Sequence, residues 1–250
     1  MMSQKELFER LCAAESYRTC DIDADNGIGI YNEKRLHRIL KHTFCERDDC
    51  FEVKIGRYIA DIAVGDRIIE IQCGQFAPLR KKIEYYLENT EYSVLIVHPV
   101  IAKRTIIRAQ RETGEVLRVR TSPKRPNEWN VLARLDPIAD LLKSDRVSLQ
   151  IMLIEAEEYR YSEAVRYRKE GKYDSELFPT KLIDCILLSD DEDYRRFLPD
   201  ELCSREFSAS EFTPYTPLRG IDVYSALNAL SALGLLDRNK QGRNVRYKMI

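Results

Sequence analysis

The sequence predicts an α/β fold: a mixed sheet flanked by helices, followed by a small α+β domain. Three stretches carry that reading. Phe51–Phe76, FEVKIGRYIADIAVGDRIIEIQCGQF, reads as three short strands joined by two tight turns. Pro78–Thr90 reads as a helix, and the continuous apolar run SVLIVH that follows has the character of a buried parallel strand, so the two make a crossover that covers a sheet. Near the C-terminus a helical stripe is followed by two short strands around a basic tip, Asn239–Arg243.

Composition narrows the classes. A chain of 250 residues, 44% of them apolar, holds one large domain or two modest ones. The net charge is −1, so a nucleic-acid signature has to be local. The absence of a long apolar run predicts no transmembrane helix, no signal peptide and no membrane partner. Seven cysteines without a CxxC pair are expected to be reduced thiols in a cytoplasmic protein. His37, His42, Cys45 and Cys50 are close in sequence, but their spacing matches no standard zinc site.

In chain order, Gln4–Ala14 is an amphipathic helix with Leu7 and Leu11 on one face. The acidic, glycine-bearing Asp21–Gly29 is a loop. Asn32 caps a helix from Glu33 to Phe44, with Leu36, Ile39 and Leu40 as its apolar stripe. Gly56-Arg57 and Gly65-Asp66 each place glycine first, as a type II′ hairpin turn requires. Counting outward from Gly65-Asp66, Val64 faces Arg67, Ala63 faces Ile68, Ile62 faces Ile69 and Asp61 faces Glu70. Directly opposed residues share a sheet face about 5 Å apart. Two carboxylates therefore meet on one face with Gln72, while Ile62, Val64, Ile69 and Ile71 point to a core. Opposed like charges destabilise a strand pair, and a divalent cation between them converts that repulsion into binding. Hard oxygen ligands suit Mg²⁺ or Mn²⁺. Taken alone, the hairpin is equally consistent with two solvated carboxylates.

The arrangement resembles the PD-(D/E)XK, restriction-endonuclease-like nuclease superfamily. That family carries an acidic residue on one strand of a hairpin, (D/E)-X-K on the next, and often a glutamate on a preceding helix. Here those positions are Asp61, then Glu70-Ile71-Gln72, and Glu33, and the resemblance covers roughly residues 28–100. It implies that Asp61, Glu70 and the Ile71 carbonyl bind Mg²⁺ or Mn²⁺, and that Glu33 completes the shell or holds a second ion. Gln72 departs from the family lysine. It can orient a water or a phosphate oxygen but supplies no positive charge. Lys54, on the same face as Asp61 if Gly56-Arg57 is the turn, is the substitute cation.

Cations elsewhere suit a phosphate backbone: Arg80, Lys81 and Lys82 open the helix after Pro78, and Lys124 and Arg125 lie in a rigid Pro-flanked loop. IIRAQ and VLRVR flank Glu112–Glu115, which predicts a second hairpin. Residues 127–145 read as helical, Val147–Glu155 as a strand, and the densely charged 151–204 as a partly helical connector after a first domain over 1–150. Residues 205–250, with a helix from Ile221 to Leu233 and LLDR and VRYKMI as strands, resemble a winged-helix domain. Lys240, Arg243 and Arg246 sit on its wing. The resulting expectation is a metal-dependent DNA endonuclease with a winged-helix DNA-binding module. Two alternatives come from other classes: a non-catalytic nucleic-acid-binding regulator, and a protein-interaction module that retains the nuclease fold. Winged helices also serve as dimer modules, which keeps a homodimer open.

Overall fold

A computed structural model describes residues 2–16, 28–110, 113–161, 174–241 and 244–250. The glycine-first turns close as their sequence demands. Strand β1 (Phe51–Ile55) pairs with β2 (Tyr58–Val64) as Ile55↔Tyr58 and Lys54↔Ile59, which leaves Gly56-Arg57 as a two-residue turn. Strand β2 pairs with β3 (Arg67–Ile71) as Val64↔Arg67, Ala63↔Ile68 and Ile62↔Ile69. Gly56 and Gly65 both have φ of 59°, while Arg57 and Asp66 do not enter positive φ, the pattern of type II′. Ile62, Ile69 and Ile71 are buried as expected. Val64 is not; it abuts the turn and is 37% exposed.

Helix α1 (Gln4–Ser16) buries Phe8, Cys12 and Glu15 and leaves Leu7 and Leu11 half-buried, so its inner stripe is offset by one residue from the expected one. Helix α2 (Ile28–Phe44) begins before Asn32, which is therefore an interior residue and not a cap. Extension through Ile28–Tyr31 follows from helix cooperativity, since propagation is far easier than nucleation. Leu36, Ile39 and Leu40 form the buried stripe.

Pro78 lies in a 3₁₀ turn, Ala77–Leu79, that leads into helix α3 (Arg80–Asn89). This helix buries Ile83 and Tyr86 and returns the chain to β4 (Ser93–Ala109), parallel to β3 with Ile69↔Leu95 and Glu70↔Ile96. The basic half of β4 pairs with β5 (Val116–Thr121), the second hairpin anticipated from sequence.

The stretch 127–145 is less helical than its stripe suggested. Helix α4 (Glu128–Leu132) starts with an Asn127–Asn130 capping box but stops before Asp136-Pro137, where proline removes an N–H and restrains the residue before it. Val131, Leu132, Leu135, Ile138 and Leu142 are still buried. The expected helical character of 151–204 is corrected more sharply: β6 (Val147–Tyr161) and β7 (Asp174–Leu188) are long strands, and among the described residues only α5 (Asp191–Arg195) and a 3₁₀ turn at Asp200–Leu202 are helical there. The C-terminal segment contains α6 (Ala209–Phe212), α7 (Ile221–Ala232) and an antiparallel hairpin of β8 (Leu236–Gln241) with β9 (Asn244–Met249).

The protein is mixed α/β. The large sheet has strand order β1-β2-β3-β4-β6-β7, with β5 on β4. The chain gathers into two units that are interleaved in sequence. One comprises Met1–Asp49, Pro99–Pro126 and Met152–Cys185, and the other Cys50–His98, Asn127–Ile151 and Ile186–Ile250. Among the described residues no helix is long and apolar enough to cross a membrane, and none of the described cysteines forms a disulfide.

Candidate functional site: a carboxylate pair, a lysine and a tyrosine

The β2–β3 register fixes the geometry. Ala63 and Ile68 are opposed, so Asp61 and Glu70, each two residues farther from the turn, project from the same face. Asp61 is half-buried, and its Oδ2 accepts the Ile71 backbone N–H at 2.8 Å. Glu70 is 1% exposed. Its Oε2 accepts from Lys82 Nζ at 2.6 Å and its Oε1 from the Tyr86 hydroxyl at 3.1 Å. Lys82 and Tyr86 are one turn apart on α3, on one helix side.

Burial dominates the electrostatics of Glu70 and pushes its carboxyl up to about 7; Lys82 opposes the shift, and the charge of Asp61 adds to it. Burial, then the Glu70 charge, also raises the Tyr86 hydroxyl, so it stays a donor. Gln72 N–H donates to the Val97 carbonyl at 2.9 Å on the β4 side. The Ile71 N–H therefore points to the other edge of β3, and its carbonyl shares that edge with Asp61.

Gln72, expected to serve the reacting centre, uses its amide elsewhere: Nε2 donates to the Gln75 carbonyl at 2.5 Å and closes its own loop. Its backbone carbonyl lies 2.5 Å from His98 Nδ1, which therefore carries the proton. Burial lowers His98 to about 4, so the ring is neutral at physiological pH and packs on Phe76. Sequence reasoning missed Tyr86 and His98 and assigned Lys82 to phosphate contact. The Lys82–Tyr86 spacing was a readable signal, but its meaning depended on α3 lying over Glu70.

The other expected residues divide into three groups. The side chain of Glu33 and the whole of Arg243 lie outside the described residues. Arg80 is held by Glu84 at 2.8 Å and by Asp140 at 2.7 Å, and Arg246 by Glu211 at 2.7 Å, so neither is a spare cation. The Arg125 guanidinium turns back to the Ser122 and Lys124 carbonyls. Lys81, Lys124 and Lys240 are exposed. Lys54 is exposed opposite Ile59, on the face of Asp61 as anticipated, while Lys82 is the residue whose ammonium contacts Glu70.

Among the described residues no three His, Cys, Asp or Glu side chains converge as a metal cluster. The donor set of Asp61, Glu70 and the Ile71 carbonyl is nevertheless hard, oxygen-only and anionic. Mg²⁺ characteristically takes one or two carboxylates and completes its shell with water and substrate phosphate. A carboxylate whose protonation is favoured by burial and by the neighbouring Asp61 charge is a group that a cation would return to its charged form. The residues present fit such an ion.

Residues 34–188, more than half of the chain, match the family described as Domain of unknown function (DUF8091). An uncharacterized protein of Treponema pallidum (strain Nichols) is 30% identical over 154 residues, which is 60% of this chain and 60% of that protein. No solved structure matches.

Proposed function

The chain belongs to the DUF8091 family, and for this member we propose metal-dependent hydrolysis of nucleic-acid phosphodiester bonds, with DNA as the substrate. The observation that carries the reading is the Asp61–Glu70 pair on one sheet face with Lys82 at 2.6 Å from Glu70. The chain order around it supports the same reading: helix α2, the antiparallel β1–β2–β3 meander, helix α3, then parallel β4, as in the PD-(D/E)XK nucleases.

Asp61, Glu70 and the Ile71 carbonyl are the groups that would hold Mg²⁺ or Mn²⁺. When bound, the ion supplies a polarised phosphate and a water acidic enough to attack near neutral pH. Lys82 carries the positive charge that Gln72 cannot provide. It stands beside the acidic pair and can stabilise charge on a phosphate oxygen, a contribution that is usually among the largest in catalysis. Tyr86 fixes the orientation of Glu70, and the Ile71 N–H fixes that of Asp61. Gln72 has a structural task in this scheme: it braces the loop that leads to α3.

The segment α6–α7–β8–β9 has the order of a winged helix. The exposed side of α7 presents Ile221, Asp222 and Tyr224 and no cation, which favours a protein or dimer contact over a DNA groove for that helix. Arg238 and Lys240 are the exposed cations on β8.

The test is cleavage of single-stranded, duplex and branched DNA with Mg²⁺ or Mn²⁺, by wild type and by Asp61→Asn. Cleavage that falls at least about 100-fold in the variant supports the reading. Wild-type protein that binds DNA but never cleaves it would assign the fold to the regulator alternative.

A further inference from the structure

We infer that the arginine face of the β4–β5 strand pair is a docking surface for a nucleic-acid phosphate backbone, a use that the site around Asp61 does not include. Residues 99–126 hold eight Lys and Arg against two Glu, in a chain whose net charge is −1. The pairing sorts these charges. Arg108 lies directly opposite Arg118, and Ile106 opposite Arg120. Opposed residues share a face and alternate residues repeat it, so Arg108, Arg118 and Arg120 project together. Arg104 lies on the same face of β4 but is neutralised by Glu158 at 3.0 Å. Arg118 and Arg120 form no ion pair with a described residue, and all six residues of β5 are exposed.

Arg118 and Arg120, two positions apart on one strand and therefore about 7 Å from each other on that face, repel each other. An anion seated between them reverses the sign of that interaction, and a planar five-donor fork matches phosphate oxygens in a bidentate way that an ammonium does not. The face is therefore more stable with a polyanion on it than without. A row of cations with successive members on two adjacent strands suits a repeating anion better than a single small one. The alternation also argues against an anionic membrane. Leu117 and Val119 are 49% and 58% exposed, but they project from the face opposite the arginines, so apolar insertion and headgroup contact cannot be made together.

The inference deepens the nuclease reading by adding where substrate is held, but its test is separate from cleavage. The full-length protein is titrated by fluorescence anisotropy, in EDTA, against a short labelled duplex and its single strand over a range of salt concentrations. Arg118→Ala/Arg120→Ala should lower the slope of log affinity against log salt by about 1.8 on the duplex and about 1.4 on the single strand, one released counterion set per lost contact. It should also weaken binding at least about tenfold at low salt. Arg118→Lys/Arg120→Lys should retain the slope, which separates lost charge from a disturbed strand. An unchanged slope in the alanine variant overturns the inference, and so does a wild type that binds anionic phosphatidylserine vesicles but neither nucleic acid. An unchanged slope together with Asp61-dependent cleavage would sink the docking face alone. A reduced slope without cleavage under any divalent ion would sink the nuclease reading alone.

Discussion

Replacing Lys82 with alanine removes the cation 2.6 Å from a carboxylate whose side chain is 2% exposed. Deleting one partner of a buried ion pair costs about 3–5 kcal/mol when the other is left charged, and the 18% exposure of Lys82 places this pair near the lower figure. Glu70 can avoid that cost by taking a proton. Its folded carboxyl is already raised by burial from 4.5 to about 7, and loss of the opposing lysine raises it further. For a carboxyl raised on folding, stability is greatest below the unfolded value and is lost as pH rises toward the folded one. Below about pH 6.5 Glu70 is protonated in both proteins, so the variant loses little beyond a hydrogen bond. Above about pH 7 the wild-type carboxyl is ionised beside its lysine and the variant's is not. The deficit then grows by up to about 1.4 kcal/mol per pH unit until the new value is passed. Urea unfolding provides the assay, followed by the single tryptophan, Trp129, which packs edge-on against Phe197 in the same unit. Glu70→Gln in the Lys82→Ala background should abolish the pH dependence. A deficit of equal size from about pH 5 to about pH 8.5 would refute the argument.

Gln72→Lys should restore cleavage to Lys82→Ala, because it returns a cation to the strand position two residues beyond Glu70. Failure to rescue in a folded double variant would exclude Lys82 as the electrostatic partner. Binding of Mn²⁺ should tighten about tenfold per pH unit below about pH 7 and level off above it, since the ion needs Glu70 deprotonated; calorimetry that shows a flat profile would remove Glu70 from the ligand set. Gly56→Ala should cost at least about 2 kcal/mol, because its Cβ would sit 1.9 Å from the Tyr85 hydroxyl at a φ of 59°. Gly65→Ala, at the same φ but with nothing within 4 Å, should cost about 1 kcal/mol; equal losses in thermal unfolding would show that the Tyr85 contact is immaterial.

The meander was legible because its determinants are local. Two glycine-first turns set both registers, and the registers set the face shared by Asp61 and Glu70. The region after Glu155 was not legible, for the opposite reason. Glu158 is 8% exposed on a strand read as charged and partly helical, which breaks the apolar alternation. Burial acts to raise its carboxyl, but Arg160 at 2.7 Å and Arg104 at 3.0 Å outweigh burial and lower it. Arg104 is 54 residues away, so no local window could mark Glu158 as an inward residue. The pairing of Lys82 with Glu70 was illegible on the same ground. The triplet of Lys82 with Arg80 and Lys81 reads as one solvated patch, yet Arg80 is held by Asp140, Lys82 by Glu70, and Lys81 faces solvent.

The link between Glu70 and Lys82 gives the intervening loop a role as a spacer. The two residues are 12 positions apart, so their meeting depends on the phase at which α3 begins. Phe76, 1% exposed, and Leu79, 6% exposed, anchor that loop, and the Gln72 amide ties its start to the Gln75 carbonyl. One residue inserted between Cys73 and Phe76 would leave every strand pairing intact, but if absorbed at the helix start it would turn α3 by about 100°. Lys82 and Tyr86 would then leave Glu70 together; Lys81 and Tyr85 would take their places, but Lys82 would be carried into the place of Ile83, which is fully buried, and the helix could not seat without burying that charge. The site is thus sensitive to the length of a loop that contributes no side chain to it, and a linear motif search centred on Glu70-Ile71-Gln72 would score such an insertion as harmless.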